Sequence, residues 1–122
     1  APGAGEVLVA EDDDDLRSLL ARTLRKHGFT TREAHDGAEA LAMIDDGVSL
    51  LLLDLNMPGI DGLDVLRRVR ERADGRQIPV LVITGTEGLQ ESAMALGASG
   101  YLTKPIEVAE VASVVRRLIA RQ

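Results

Sequence analysis

Leu50-Leu51-Leu52-Leu53-Asp54-Leu55-Asn56-Met57-Pro58-Gly59 begins as an unbroken apolar run and turns, at one residue, into a loop. A fully buried strand reads as such a short continuous run, and in open α/β sheets ligands gather outside the carboxyl ends of the strands. Asp54 therefore stands where a buried strand delivers a single carboxylate to a site. An isolated strand-end aspartate more often only hydrogen-bonds the turn that follows it. Asp54 is not isolated.

A second source of carboxylates, Glu11-Asp12-Asp13-Asp14-Asp15, follows another apolar run, Val7-Leu8-Val9-Ala10. Asp14 and Asp15 fit the first turn of a helix, where acids gain from the positive end of its dipole, because Leu16, Leu19, Leu20 and Leu24 follow at helical spacing. Glu11 and Asp12 belong instead to a strand end, where successive side chains point to opposite faces. If the two strands lie parallel and adjacent, Glu11, Asp12 and Asp54 crowd one edge of the sheet. Three like charges there repel unless a hard cation sits among them.

Two further strand ends add other chemistry. Ile78-Pro79-Val80-Leu81-Val82-Ile83 leads to Thr84 and Gly85, and Gly100-Tyr101-Leu102-Thr103 leads to Lys104-Pro105. Taken singly, Thr84 reads as a strand residue or cap and Lys104 as a surface charge. Taken with the acids, they make a set of cation-binding carboxylates, a hydroxyl and an ammonium, suited to handling an anion on top of a metal.

These stretches, with Leu55-Asn56-Met57-Pro58-Gly59-Ile60-Asp61-Gly62, resemble the response-regulator receiver domains of two-component signalling, and the likeness runs from about residue 6 to the end of the chain in the family's order. Asp14 stands where the family often has proline and Gly85 where alanine or serine is commoner. Neither change touches the acidic pair, the acceptor or the lysine.

The resemblance implies a phosphoryl transfer from a phosphohistidine, on a sensor histidine kinase or a histidine phosphotransfer protein, to Asp54. A carboxylate acceptor needs no general base, so the remaining work is positioning and charge neutralisation. In the roles it implies, Asp12, Asp54 and the backbone carbonyl of Asn56 ligate Mg²⁺ and Glu11 acts largely through water. Lys104 pairs with one phosphoryl oxygen and the Thr84 hydroxyl donates to another. Lys104-Pro105 is a candidate cis peptide. Thr84 and Tyr101 form the switch: Thr84 moves toward the phosphate and Tyr101 swings inward, remodelling the surface of the fourth helix, fifth strand and fifth helix for a downstream output domain or protein. Met57-Pro58-Gly59 and Gly85 to Gly88 are the candidate mobile loops. The resemblance also admits a homodimer on activation.

Along the chain, strand-like and helix-like segments alternate five times. Helices are expected over Leu16 to His27, Ala38 to Asp45, Leu63 to Ala73, Leu89 to Leu96 and Val108 to Ala120, with Phe29 to Ala34 as a polar edge strand. Such alternation means βαβ units and a parallel sheet, here a flavodoxin-like (βα)5 fold of α/β class, strand order 2-1-3-4-5, with helices on both faces. That order puts strands one and three side by side, as the acids require. Residues 6–122 read as the receiver domain and residues 1–5, which lack an initiating methionine and any periodicity, as a linker or cloning remnant.

Composition narrows the class. A length of 122 residues with 45% hydrophobic content suits one domain with one core; no long apolar run is present to span a membrane, and no signal peptide is visible in these residues. Without cysteine there is no disulfide framework and no thiolate chemistry. The net charge of −6 argues against direct nucleic-acid binding, and a cytoplasmic location is expected. Arg67, Arg68, Arg70 and Arg72 read as a solvated helix face. His27 and His35 lie near a helix end and in a loop, so the donor histidine belongs to another domain.

Other classes fit less well. A haloacid-dehalogenase-like phosphatase wants a second aspartate two residues after the nucleophile, where this chain has Asn56. A flavodoxin wants aromatic residues and a Ser/Thr-rich phosphate loop. A degenerate receiver acting as a phosphorylation-independent interaction module predicts the loss of a site residue, and none is lost.

Overall fold

In the computed structural model, which describes residues 5–72 and 77–121, five strands alternate with five helices. They are β1 (Glu6–Ala10), α1 (Asp14–Lys26), β2 (Thr30–Ala34), α2 (Gly37–Met43), β3 (Leu50–Asp54), α3 (Gly62–Arg70), β4 (Val80–Thr84), α4 (Leu89–Ala95), β5 (Gly100–Thr103) and α5 (Val108–Ala120). The strands form one parallel sheet in the order β2-β1-β3-β4-β5. The flavodoxin-like fold expected from the alternation of segments is the fold observed.

Alternation along the strands explains why the sheet carries helices on both faces. Leu8, Leu51, Leu53 and Val82 turn to one side and pack with α2, α3 and α4 through Ala40, Leu66 and Ala93. Val7, Leu50, Leu52 and Ile83 turn to the other and pack with α1 and α5 through Leu20, Leu24 and Val115. β3 and β4 are buried at every residue, whereas the edge strands β2 and β5 are partly exposed.

Side-chain caps set the starts of α1, α2 and α3 and shift these expected boundaries by one or two residues. Asp13 accepts from the Leu16 amide at 3.0 Å, so α1 begins at Asp14 and takes both Asp14 and Asp15 into its first turn. Asp36 caps α2 by accepting from Glu39 N at 2.7 Å, and Glu39 in turn accepts from His35 N, the residue before the cap, at 2.9 Å. Asp61 caps α3, which ends at Arg70; Ala73, the expected end, lies outside the described residues, as do residues 1–4.

The start of α3 also positions the loop after β3. A Cβ on Gly62 would lie 2.6 Å from Leu55 Cα and 2.9 Å from its carbonyl oxygen, so only glycine lets the helix pack against the backbone that follows Asp54.

Arg70 departs from the solvated-face reading. Its guanidinium is partly buried and donates to Gly97 O at 2.9 and 2.7 Å and to Ile78 O at 2.6 Å, tying α3 to the segments before β4 and after α4. Burial lowers its pKa.

Candidate functional site

Parallel register brings the strand ends level. Ala10 pairs with Leu53, Asp54 with Ile83 and Thr84 with Thr103, so the next residues, Glu11, Leu55, Gly85 and Lys104, leave the sheet at one edge. The acids expected to converge do so: Glu11, Asp12 and Asp54 each offer an oxygen within 4.8 Å of the others. Asp54 is only 1% exposed and Asp12 is exposed, so the cluster runs from the sheet to the solvent.

Each carboxylate has a distinct environment. Asp54 accepts from the Asn56 amide through Oδ1 at 2.9 Å and from Lys104 Nζ through Oδ2 at 3.1 Å. The peptide joining Lys104 to Pro105 is cis. Glu11 accepts from the Asp13 amide through Oε2 at 3.0 Å, but its buried Oε1 has no partner. Burial pushes the Glu11 carboxyl up to about 7, the charge of Asp54 adds to the rise, and the Asp13 amide opposes it. Arg17 holds the Glu11 backbone by donating to its carbonyl at 2.9 Å.

A buried carboxylate oxygen without a donor, facing two other carboxylates, fits a hard cation. The oxygen-only donor set suits Mg²⁺, which keeps several of its waters and takes one or two carboxylates. Thiolate-seeking metals have no ligand in this chain.

Thr84 is fully buried at the end of β4, and its hydroxyl donates to Asn56 Oδ1 at 3.2 Å. Gly85 N donates to the same oxygen at 2.9 Å, and Asn56 Nδ2 donates to Thr86 Oγ1 at 2.9 Å. Sequence reasoning had given Asn56 a role only through its backbone. The signal for its side chain lay in the register: with Asp54 opposite Ile83, the residue two past Asp54 faces the loop two past Ile83.

Tyr101 is not part of this cluster. It lies on edge strand β5, paired with Val82 and 49% exposed, beside a surface groove that includes Glu110, Ser113 and Arg117.

A family profile described as "Response regulator receiver domain" matches residues 7–116. The chain is 40% identical over 118 residues to the transcriptional regulatory protein CpxR of Klebsiella pneumoniae, covering 95% of this chain and 50% of that protein. It is 41% identical over 118 residues to the response regulator MprA of Mycobacterium ulcerans, covering 94% and 50%. The chain thus spans about half the length of these curated relatives. Among solved structures, the receiver domain of the Francisella response regulator 1452 superposes with a TM-score of 0.87 at 28% identity, covering 96% of this chain and 98% of that one.

Proposed function

The chain belongs to the response regulator receiver domain family, and on that premise we propose that residues 6–122 act as a Mg²⁺-dependent phosphoacceptor switch with Asp54 as the acceptor. A carboxylate oxygen of Asp54 attacks the phosphorus of a phosphohistidine on a sensor histidine kinase or histidine phosphotransfer protein. The P–N bond breaks, a P–O bond to Asp54 forms, and the imidazole nitrogen keeps the electron pair. Asp12, Asp54 and the Asn56 carbonyl would hold Mg²⁺, with Glu11 acting through water. When bound, the ion supplies positive charge against the phosphoryl oxygens and relieves repulsion among the acids.

The protein's own groups do the rest. Lys104, which pairs with Asp54 at 3.1 Å, transfers its ammonium to a phosphoryl oxygen as the carboxylate charge is spread into the acyl phosphate. Thr84 turns its hydroxyl toward a second oxygen. Tyr101, 49% exposed, starts from an outward position and moves inward, altering the α4-β5-α5 surface read by an output domain or partner protein. A cytoplasmic location suits this chemistry, and among the described residues no helix is long and apolar enough to cross a membrane. The net charge of −6 disfavours direct nucleic-acid contact by this domain.

The observation that supports this reading best is the meeting, at one sheet edge, of a buried Asp54 with the acids Glu11 and Asp12 and the cation Lys104. Intact-mass spectrometry after incubation with acetyl phosphate and Mg²⁺ tests it. One phosphoryl adduct is expected on the wild type and none on Asp54→Asn; equal labelling of the two proteins would overturn the assignment.

A further inference from the structure

We propose that the Asn56 side chain is an internal competitor for the phosphoryl group, a positioning residue that holds the switch off by occupying the donors the phosphate needs. Two donors, the Thr84 hydroxyl at 3.2 Å and the Gly85 amide at 2.9 Å, converge on Asn56 Oδ1. Convergence of a hydroxyl and a backbone amide on one oxygen is what an incoming anion would also exploit.

The hydroxyl of Thr84 carries one proton, and it is already given to Asn56. Its oxygen accepts in turn from Thr86 N at 3.0 Å, while Asn56 Nδ2 donates to Thr86 Oγ1 at 2.9 Å. The carboxamide therefore closes a loop of hydrogen bonds across the segments after β3 and β4. Thr84 cannot donate to a phosphoryl oxygen without leaving that loop. Asn56 is positioned to set this cost because its own amide is anchored on Asp54 Oδ1 at 2.9 Å.

The inference rests on Asp54 as the acceptor, and it adds a resting-state bias to that reading. A ligand that must first displace an internal contact binds with an apparent affinity reduced by the fraction of competent molecules. Removing the competitor should raise the affinity for a phosphoryl mimic, although it removes favourable contacts from the free protein.

The test is a titration with beryllofluoride at saturating Mg²⁺, followed by amide NMR. Asn56→Ala should bind about five-fold more tightly than wild type, and Thr86→Val, which loses only the Nδ2 tie, should change in the same direction by a smaller factor. In a Thr84→Val background the Asn56→Ala gain should shrink to two-fold or less, because one of the two contested donors is gone. In the free protein, Gly85 N–H should exchange faster in Asn56→Ala than in wild type. Unchanged or weaker binding by Asn56→Ala, an undiminished gain in Thr84→Val, or unchanged Gly85 exchange would overturn the proposal. Failure of the wild type itself to bind beryllofluoride would instead overturn the acceptor assignment on which it rests.

Discussion

Lys104 Nζ lies 3.1 Å from Asp54 Oδ2, a pairing of a partly exposed ammonium with a carboxylate that is only 1% exposed. The two residues are fifty positions apart in sequence, and the ends of β3 and β5, which flank β4 in the sheet, bring them together. Their ion pair offsets part of the repulsion that Glu11 and Asp12 impose on Asp54. Breaking a buried pair is more costly than its net contribution, because the remaining charge is left uncompensated.

Lys104→Ala should therefore destabilise the metal-free protein by roughly 1–3 kcal/mol, less than for a fully buried pair because the ammonium reaches solvent. Mg²⁺ should recover much of that loss by taking over the neutralising charge. Urea unfolding with and without Mg²⁺ measures both effects, and an equal loss in the two conditions would count against a shared role.

Glu11 makes the metal-free stability depend on pH in an unusual direction. Its carboxyl titrates near 7 in the fold against 4.5 for an ordinary glutamate, so between these values the native state holds a proton that the unfolded chain has released. Stability from this group is therefore greatest at and below about pH 4.5, falls as pH rises through the window and levels off above about 7. Metal-free wild type should lose roughly 1–3 kcal/mol relative to Glu11→Gln between pH 5 and 8. Parallel unfolding midpoints for the two proteins check the sign.

Cation binding should act through the same three acids. For an assumed dissociation constant of ~1 mM, ~10 mM Mg²⁺ would stabilise by roughly 1.4 kcal/mol, or a few degrees in a domain of this size. Differential scanning fluorimetry should show that response in wild type and not in Asp12→Ala. A full response in the variant would place the ion elsewhere.

A substitution at Thr84 should separate chemistry from signalling. Thr84→Ala keeps Asp54, Lys104 and the acids, so it should still take one phosphoryl group from acetyl phosphate. Its beryllofluoride-induced amide shifts should stay near Asp54 and not extend to Tyr101 and α5, because a ligand moves a two-state equilibrium only through contacts that differ between the states. Full propagation in this variant would leave Tyr101 as an ordinary edge-strand residue.

What the sequence made legible was whatever depends on local pattern. Leu50–Leu53 and Val80–Ile83 announce buried strands because they lack a polar face, and each strand ends where a polar residue interrupts the run. The candidate site residues Glu11, Asp12, Asp54 and Thr84 could be picked out because each stands at the end of such a run, whereas Lys104 follows the short, half-exposed β5 and gains its reading from the company of the acids. Features that depend on pairing between distant segments were harder to read. The Asn56 carboxamide meets Thr84, Gly85 and Thr86 only because β3 and β4 pair in one register. Arg70 looked like one charge on a basic helix face, and only tertiary packing supplies the carbonyls of Gly97 and Ile78 that receive it. Helix boundaries moved because Asp13, Asp36 and Asp61 act as caps, which the apolar stripe alone does not reveal.

The interior of β3 is four consecutive leucines, and a strand of identical residues is a ruler without marks. Sliding it by one position, about 3.3 Å, would exchange leucine for leucine on both faces of the sheet and leave the apolar cores nearly content. The divisions are marked at its two ends. Ser49 donates its amide to Glu6 O at 2.8 Å and accepts from Glu6 N at 3.3 Å through Oγ, while Asp54 is met by Lys104. The polar residues that bracket the strand thus tell the leucines where to stop, and the Asp54 carboxylate, the proposed acceptor, is one of the two bookends that keep this sheet threaded correctly.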